Sequence, residues 1–314
     1  MRSIQAAQKV KQRAYELGFE EVGITDVTPP PHRNELENWM SAGMAGTMTY
    51  MHRQLSKRRE PAQIVPGATR VVVVTYNYFG ADPAKPKRQG RVAKYARGRD
   101  YHLALAEPLR QLAEFICSLG GPDTLAKYYV DAGPVPEREL AQRAGIGWIG
   151  KNTMLIHPRR GSFFFIGSVF TDLNLDVDPP FQADRCGTCT KCLEACPTSA
   201  FPEERVLDSR RCISYLTIEL RGDIPEEYAS AMSDMVFGCD ICQDVCPWNE
   251  KFTAPAVEDL LRMRDDLAYI DLEELEQMSP EQFDERYGQT PMERPGFDGM
   301  RRNAKIALLN SGED

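Results

Sequence analysis

The sequence predicts an α+β protein in three parts: an α/β domain over residues 1–175, a small cysteine-rich domain over 176–252, and a short helical C-terminal segment over 253–314. Three observations carry this. Eight of the nine cysteines lie between Cys186 and Cys246. The stretch before them alternates helical and strand patterns separated by glycine and proline. The chain closes on a helix-forming run from Arg301 to Asn310. With 314 residues there is room for two domains and one substantial core.

Taken in order, residues 4–17 have the spacing of an amphipathic helix, stopped at Gly18, a natural residue just past a helix end. The β-branched run 71–76, bounded by Gly67 and Gly80, predicts a buried strand. Residues 83–90 form a Pro/Lys loop. A long helix is expected over 101–119, closed by Gly120-Gly121-Pro122. A short strand over 127–130 turns at Asp131-Ala132-Gly133-Pro134 into a helix over 137–143. Residues 163–170 supply a further strand of the central sheet. Residues 176–180 read as a linker to the cysteine-rich part.

Within that part, the first run is Cys186-x2-Cys189-x2-Cys192-x3-Cys196-Pro197, the spacing of a bacterial-type ferredoxin. The second, Cys239-x2-Cys242-x3-Cys246-Pro247, has Val236 where its first cysteine would stand. Cys212, 27 residues upstream of Cys239, is the one unassigned nearby thiol that fills the gap. In ferredoxins three close cysteines wrap one cube and the cysteine before proline reaches the other. One [4Fe–4S] cluster is therefore expected on Cys186, Cys189, Cys192 and Cys246, and a second on Cys239, Cys242, Cys212 and Cys196. Zinc also takes C-x2-C pairs, but it has no use for this spacing with a Cys-Pro in two mirrored roles. Cys117, in the apolar run Phe115-Ile116-Cys117, reads as a small core residue. Thiols committed to clusters point to a reducing compartment and away from a disulfide framework.

The net charge of −8 is unevenly spread. Residues 85–99 hold seven lysines and arginines and no acid, whereas 257–286 hold 11 acids against three arginines. Such separation either steers a polyanion to one face or belongs to a solvated loop. No signal-peptide or twin-arginine pattern is seen at the N-terminus, and no apolar stretch approaches a membrane span, so no membrane partner and a cytoplasmic location are expected.

Gly145-Ile146-Gly147-Trp148-Ile149-Gly150-Lys151-Asn152 contains G-x-G-x-x-G, but it follows a helix instead of opening one, and the spacing before Lys151 is wrong for a P-loop. It reads as a close backbone approach to something flat, or as a tight connector. The four histidines show no metal spacing and no hydrolytic triad. Asp131 ends a strand where a carboxyl projects into a cleft. With few charged neighbours its pKa would rise and it would serve as a general acid; the alternative is a turn aspartate capping the next helix.

Val130-Asp131-Ala132-Gly133-Pro134, Glu137-Arg138, the glycine run through Thr153, Gly161-Ser162, the eight cysteines, Cys212-Ile213-Ser214-Tyr215-Leu216-Thr217 and Gly238-Cys239-Asp240-Ile241-Cys242 together resemble the epoxyqueuosine reductase family over nearly the whole chain. Its members are iron–sulfur and cobalamin enzymes related to reductive dehalogenases. They remove the epoxide oxygen of epoxyqueuosine at the wobble position of tRNA, the last step of queuosine synthesis. The resemblance implies a cobalamin-binding α/β domain like that of reductive dehalogenases, cobalamin with two [4Fe–4S] clusters, and tRNA carrying epoxyqueuosine bound through its anticodon loop. It also implies an unidentified low-potential electron donor and a monomer. Turning an epoxide into an alkene takes two electrons and two protons, while clusters deliver electrons singly; in the family cobalamin bridges that gap.

The resemblance assigns the proton donor to Asp131, beside the cofactor. Arg58 matches a position that contacts the corrinoid, where an arginine suits amide or phosphate groups. Leu155 and Ile166 match the corrinoid-lining strands, and Ser214, Arg221 and Asp240 positions beside the second cluster. The glycine run is then where backbone passes close to the ring. No D-x-H-x-x-G motif supplies a histidine to cobalt, in keeping with a base-off corrinoid. Many members continue into a C-terminal helical-repeat module whose opening helix the final run resembles, so tRNA affinity is expected to rest on residues 85–99 and on the arginine pairs. Two other readings follow from the same residues: a reductive dehalogenase of small halogenated substrates, and a plain electron carrier fused to a structural domain.

Overall fold

The computed structural model describes residues 3–255 and 259–312, so residues 257 and 258 of the acidic stretch lie outside the described residues. Nine strands occur among them: β1 Glu21–Asp26, β2 Arg70–Asn77, β3 Gln89–Val92, β4 Ala126–Val130, β5 Trp148–Ile149, β6 Leu155–Ile156, β7 Phe164–Thr171, β8 Met235–Phe237 and β9 Tyr269–Asp271. The main sheet runs β1-β2-β7-β4 and is antiparallel throughout.

The valines of β2 set its layers. Val71, Val72, Val73 and Val74 are all fully buried, so both faces of the sheet are covered. Side chains alternate along a strand. Val72 and Val74 therefore meet Val10, Leu109, Leu112 and Ile116 from helices Ser3–Glu16 and Ala106–Gly120. Val71 and Val73 meet Leu140 and Ala141 of helix Glu137–Arg143 on the other side. Each buried valine contributes about 1.5–3 kcal/mol. A strand covered on both faces reads as a continuous apolar run, which is how residues 71–76 stand out.

Residues 101–119 are not one helix. Tyr101–Ala104 ends and Ala106–Gly120 begins anew, because Pro108 lacks an N–H and its ring would strike the Ala104 carbonyl. The expected linker 176–180 is docked. Asp178 accepts from Ile24 N–H at 2.8 Å and from Lys11 Nζ at 2.5 Å, and its own N–H donates to Ile24 O at 2.8 Å. The chain thereby covers the open edge of β1.

A second sheet, β8-β3-β9, takes one strand from each of the three proposed divisions 1–175, 176–252 and 253–314. Its core joins Val92, Val236, Phe237, Ile270 and Leu275 to Met300, Ala304 and Ala307 of the last helix, Gly296–Ser311. The basic segment 85–99 is part of this stitch and not an open loop. Lys85 and Arg91 pair with Asp234 at 2.7 and 3.7 Å, Arg88 with Glu273 at 2.7 Å, Lys94 with Asp244 at 2.8 Å, and Arg97 with Asp82 at 2.5 Å. Five of its seven cations are thus neutralised within the fold.

The glycine run is a tight connector. A Cβ on Gly147 would lie 2.1 Å from Ile156 O, and one on Gly145, which has φ +80°, would lie 2.7 Å from Pro179 O. The close approach is to the protein's own backbone, across the β5–β6 hairpin and onto the docked 176–180 segment. Gly147→Ala is therefore expected to destabilise the fold by about 1–3 kcal/mol, the usual cost of overpacking, as a lowered midpoint in denaturant unfolding. An unchanged midpoint would mean that the hairpin relaxes freely.

Candidate active site and cluster sites

The loops bring the eight thiols into two sets. Cys186, Cys189, Cys192 and Cys246 line one cavity of about 330 Å³, with Cys246 delivered by the second run. In the other set, Cys239 and Cys242 both feel the charge of Cys212, and Cys196 acts on Cys212 and Cys239. Cys192 of the first set acts on Cys242, so the sets adjoin. Cys212 reaches its place because it opens helix Ile213–Ile218, whose Thr217 Oγ1 accepts from Gly238 N–H at 3.0 Å just ahead of Cys239. Asn303 Nδ2 bridges Thr217 O and Val236 O, each at 2.8 Å, and clamps helix and strand together.

Burial, reinforced by neighbouring thiols, pushes Cys192 up to about 11 and Cys239 up to about 12. Thiolates at such positions need a compensating positive centre, which a metal supplies. Among the described residues no three His, Cys, Asp or Glu side chains converge closely enough to hold a single metal ion. Four thiols spaced around a void fit a polynuclear cluster.

Beside the second set opens a cleft of about 1900 Å³, lined by Arg58, Tyr101, Asp131 and Glu137 from the main-sheet domain and by Cys212 and Ser214 from the cluster region. Asp131 follows β4 in a left-handed conformation, φ +45°. Its exposed carboxylate accepts a short hydrogen bond from the Tyr101 hydroxyl, and its N–H donates to Glu137 Oε1 at 2.8 Å. The Tyr101 ring lies between Phe165 and His102, each with centroids 4.2 Å away. Burial, then the Asp131 charge, pushes the Tyr101 pKa far up, so it remains a donor. The hydrogen bond that His102 donates to the Asp100 carboxylate raises the His102 pKa against the opposing effect of burial. Arg58 Nη2 donates to Gly133 O at 3.4 Å, and burial holds its pKa below the usual arginine range.

The expectation of few charged neighbours at Asp131 fails: Glu137 lies at its amide, and Arg58 and Arg294 are within electrostatic reach. Glu137, half-buried beside that aspartate, is pushed up to about 8 by desolvation and then by the Asp131 charge, with Arg138 and Arg58 opposing.

Of the residues expected near the corrinoid, Arg58, Asp131 and Ser214 share the cleft. Leu155 on β6 is buried in the core, and Ile166 on β7 packs half-buried against it. Arg221 spends its guanidinium on Arg294 O and Pro295 O, at 2.8 and 3.0 Å. Asp240 is buried and accepts from Lys94 N–H at 2.7 Å; desolvation raises its pKa to about 6. Tyr101 and His102 were missed as site residues. Their one signal is Asp100, which caps their helix by accepting from His102 N–H, and this reads from sequence only as a helix start.

A pair of adjoining four-thiol sites beside a large cleft that presents a carboxylate defines an iron–sulfur oxidoreductase. The profile of the 4Fe-4S double cluster binding domain matches residues 185–249, and that described as epoxyqueuosine reductase QueG, DUF1730, matches residues 58–132. An epoxyqueuosine reductase of Pseudomonas aeruginosa is 43% identical over 311 residues, covering 97% of this chain and 85% of that protein. Its Escherichia coli K12 counterpart is 40% identical, covering 99% and 82%. The chain belongs to the epoxyqueuosine reductase family. Among solved structures, an epoxyqueuosine reductase with a tRNA-Tyr epoxyqueuosine-modified stem loop superposes with TM-score 0.91 at 30% identity, over 98% of this chain and 82% of that one. A Bacillus subtilis epoxyqueuosine reductase whose catalytic aspartate loop is swung out of the active site gives 0.89 at 29% identity, over 98% and 82%.

Glu137 makes stability depend on pH. Its folded-state pKa, about 8, lies above the ordinary 4.5, so proton binding favours the folded chain. The contribution is fully present below about pH 4.5 and is lost as pH rises through about 8. Glu137→Gln keeps an acceptor for the Asp131 N–H and removes the titration. Unfolding midpoints measured between pH 5 and 9 are expected to fall more steeply for the parent than for the variant; parallel curves would show that Glu137 titrates normally.

Proposed function

We propose that this protein reduces the epoxide of epoxyqueuosine at the wobble position of tRNA to give queuosine, with cobalamin and two [4Fe–4S] clusters as cofactors. The observation that carries this reading is the cleft of about 1900 Å³ shared by Asp131 and Cys212. It exceeds the roughly 300–1,000 Å³ of ordinary small-molecule pockets and has room for a corrinoid and a splayed-out nucleotide together, as chemistry on a base in tRNA requires. The stem loop bound to a relative of TM-score 0.91 supports tRNA as the substrate.

The donor sets fit the cofactors. Cys186, Cys189, Cys192 and Cys246 hold one cluster; Cys196, Cys212, Cys239 and Cys242 hold the other. Arg58 and Ser214, which line the cleft, hold the corrinoid together with backbone at Leu155 and Ile166. Arg221 and Asp240 act indirectly, by fixing the backbones at Arg294–Pro295 and Lys94. When bound, cobalamin supplies the two-electron chemistry at the epoxide carbon that single-electron clusters cannot.

The chain's own residues handle the proton and the geometry. Asp131 carries a proton to the epoxide oxygen, which leaves as water after a second proton. Tyr101 orients the Asp131 carboxyl and is itself held in place by stacking on Phe165 and His102. Among the described residues no helix is long and apolar enough to cross a membrane. We place the reaction in the cytoplasm, in a monomer fed by a low-potential donor.

The test is to incubate the anaerobically reconstituted protein with cobalamin, a low-potential reductant and tRNA bearing epoxyqueuosine, then to weigh the digested nucleosides. Cobalamin-dependent loss of one oxygen is expected; an unchanged nucleoside, with clusters and corrinoid bound, would overturn the substrate. Asp131→Asn should keep both clusters and corrinoid binding and lose roughly 10²–10⁴-fold in turnover, the usual worth of a positioned acid. Normal turnover would remove Asp131 from the mechanism.

A further inference from the structure

The two thiol sets differ in what surrounds them. Cys212, of the second set, lines the reaction cleft. The four thiols of the first set line a separate opening, whose walls hold Lys151, Arg185, Lys191 and Lys251 and no aspartate or glutamate. Lys151 is buried and paired with Glu204 at 2.7 Å. Arg185, Lys191 and Lys251 are exposed, and no ion pair to an acid joins them among the described residues. Arg185 lies over the Phe181 ring at 5.5 Å and Lys251 over Phe252 at 5.1 Å, so both are held at the rim by aromatic faces. Trp248 stacks on Phe252 at 5.5 Å and donates to Arg185 O at 3.3 Å, joining the two sides of the opening. Such a patch has an apolar aromatic floor and a cationic rim.

We propose that this opening is the electron entry port, and that its partner is an acidic, low-potential one-electron carrier protein. The proposal rests on the cluster assignment made above. Each encounter oxidises the carrier by one electron and reduces the first cluster by one; no bond to the protein forms and no proton moves. Two encounters supply the pair that the epoxide consumes. Onward transfer has a path, because the short helix Lys191–Glu194 that carries Cys192 packs against Ile241–Asp244 that carries Cys242, and Cys212 of the second set borders the cleft. The aromatic floor gives a partner a small contact to desolvate. The cations accelerate encounter with an anionic surface, an effect worth 10–10³-fold in rate that falls with ionic strength.

The experiment compares two reductants on the cluster-loaded full chain by stopped-flow bleaching of cluster absorbance: a reduced flavodoxin of net negative charge, and photoreduced deazaflavin as a small diffusible donor. With flavodoxin, the rate for the parent protein should fall as salt rises. Arg185→Glu/Lys191→Glu/Lys251→Glu should lower it at least 10-fold at low salt and flatten the salt dependence, with deazaflavin reduction unchanged. The milder R185Q/K191Q/K251Q should show a smaller loss of the same kind, which covers the case that the charge reversal folds poorly. Flavodoxin rates equal to the parent's in both variants would overturn the port. Loss of tRNA binding in the reversal variant, with flavodoxin rates intact, would make the patch a nucleic-acid surface and overturn it equally. If deazaflavin bleaches no cluster in the parent, the cluster assignment itself fails, a result distinct from failure of the port.

Discussion

The buried ammonium of Lys94 is the constraint on which the rest of the structure hangs. It is 3% exposed, and a charge so placed is tolerated only when paired and hydrogen-bonded. Its partners come from two places: Asp82 at 3.2 Å, and one short helix that supplies Asp244 at 2.8 Å and, more distantly, its cap Asp240 at 3.9 Å. Asp240 also takes the Lys94 N–H, and Asp82 also takes Arg97, whose guanidinium in turn donates twice to Val92 O. Asp240 stands between Cys239 and Cys242. The knot therefore joins the end of β3 to the loop that carries two thiols of the second set. Remove one partner and buried charge is left exposed to no water, which is why such a network fixes position more than it adds net stability.

That tie is one of several that join what the sequence reads as three segments. The second sheet borrows β3 from the first segment, β8 from the second and β9 from the third. Lys85, Arg88 and Arg91 extend the same stitch through Asp234 and Glu273. A run of seven cations without an acid looks in sequence like a surface for a polyanion. In the fold Lys85, Arg88, Arg91 and Lys94 pair with acids about 140 to 190 positions away, and Arg97 with nearby Asp82. Charge clustering along a chain says little about charge on a surface until the pairing is known.

What was legible in the sequence is what rests on local spacing. The cysteine runs, the Val71–Val74 strand, the turn at Asp131-Ala132-Gly133-Pro134 and the helix that follows it are all determined within a dozen residues. The break at Leu105 was legible too, since Pro108 announces it, but a helical pattern on both sides outweighed one proline. β1 was not seen because its six residues, Glu21–Asp26, are only partly apolar and become a strand by pairing with β2. The second sheet was invisible for the same reason, and so was the half of the Lys94 knot that Asp240 and Asp244 supply: those partners are remote in sequence. In the site, Asp131, Arg58 and Ser214 emerge from motif resemblance, whereas Tyr101 joins them only because a helix from another part of the fold delivers its hydroxyl.

The backbone at Asp131 shows how the site is held. A left-handed conformation costs a non-glycine residue roughly 1–2 kcal/mol, and such strain persists only where neighbours over-determine it. Here the constraint is applied from both ends: Glu137 takes the Asp131 N–H, Arg58 donates to Gly133 O, and Tyr101 holds the carboxylate. Glu137 and Tyr101 both suffer desolvation, and their pKa values rise in response. Burial thus raises proton affinity around the aspartate, while the bond from the Asp131 N–H works against the rise at Glu137. A turn so constrained presents its carboxyl to the cleft in one orientation, which is what the proposed role of an acid asks of it, since orientation arranged in advance is what a positioned group contributes to a rate.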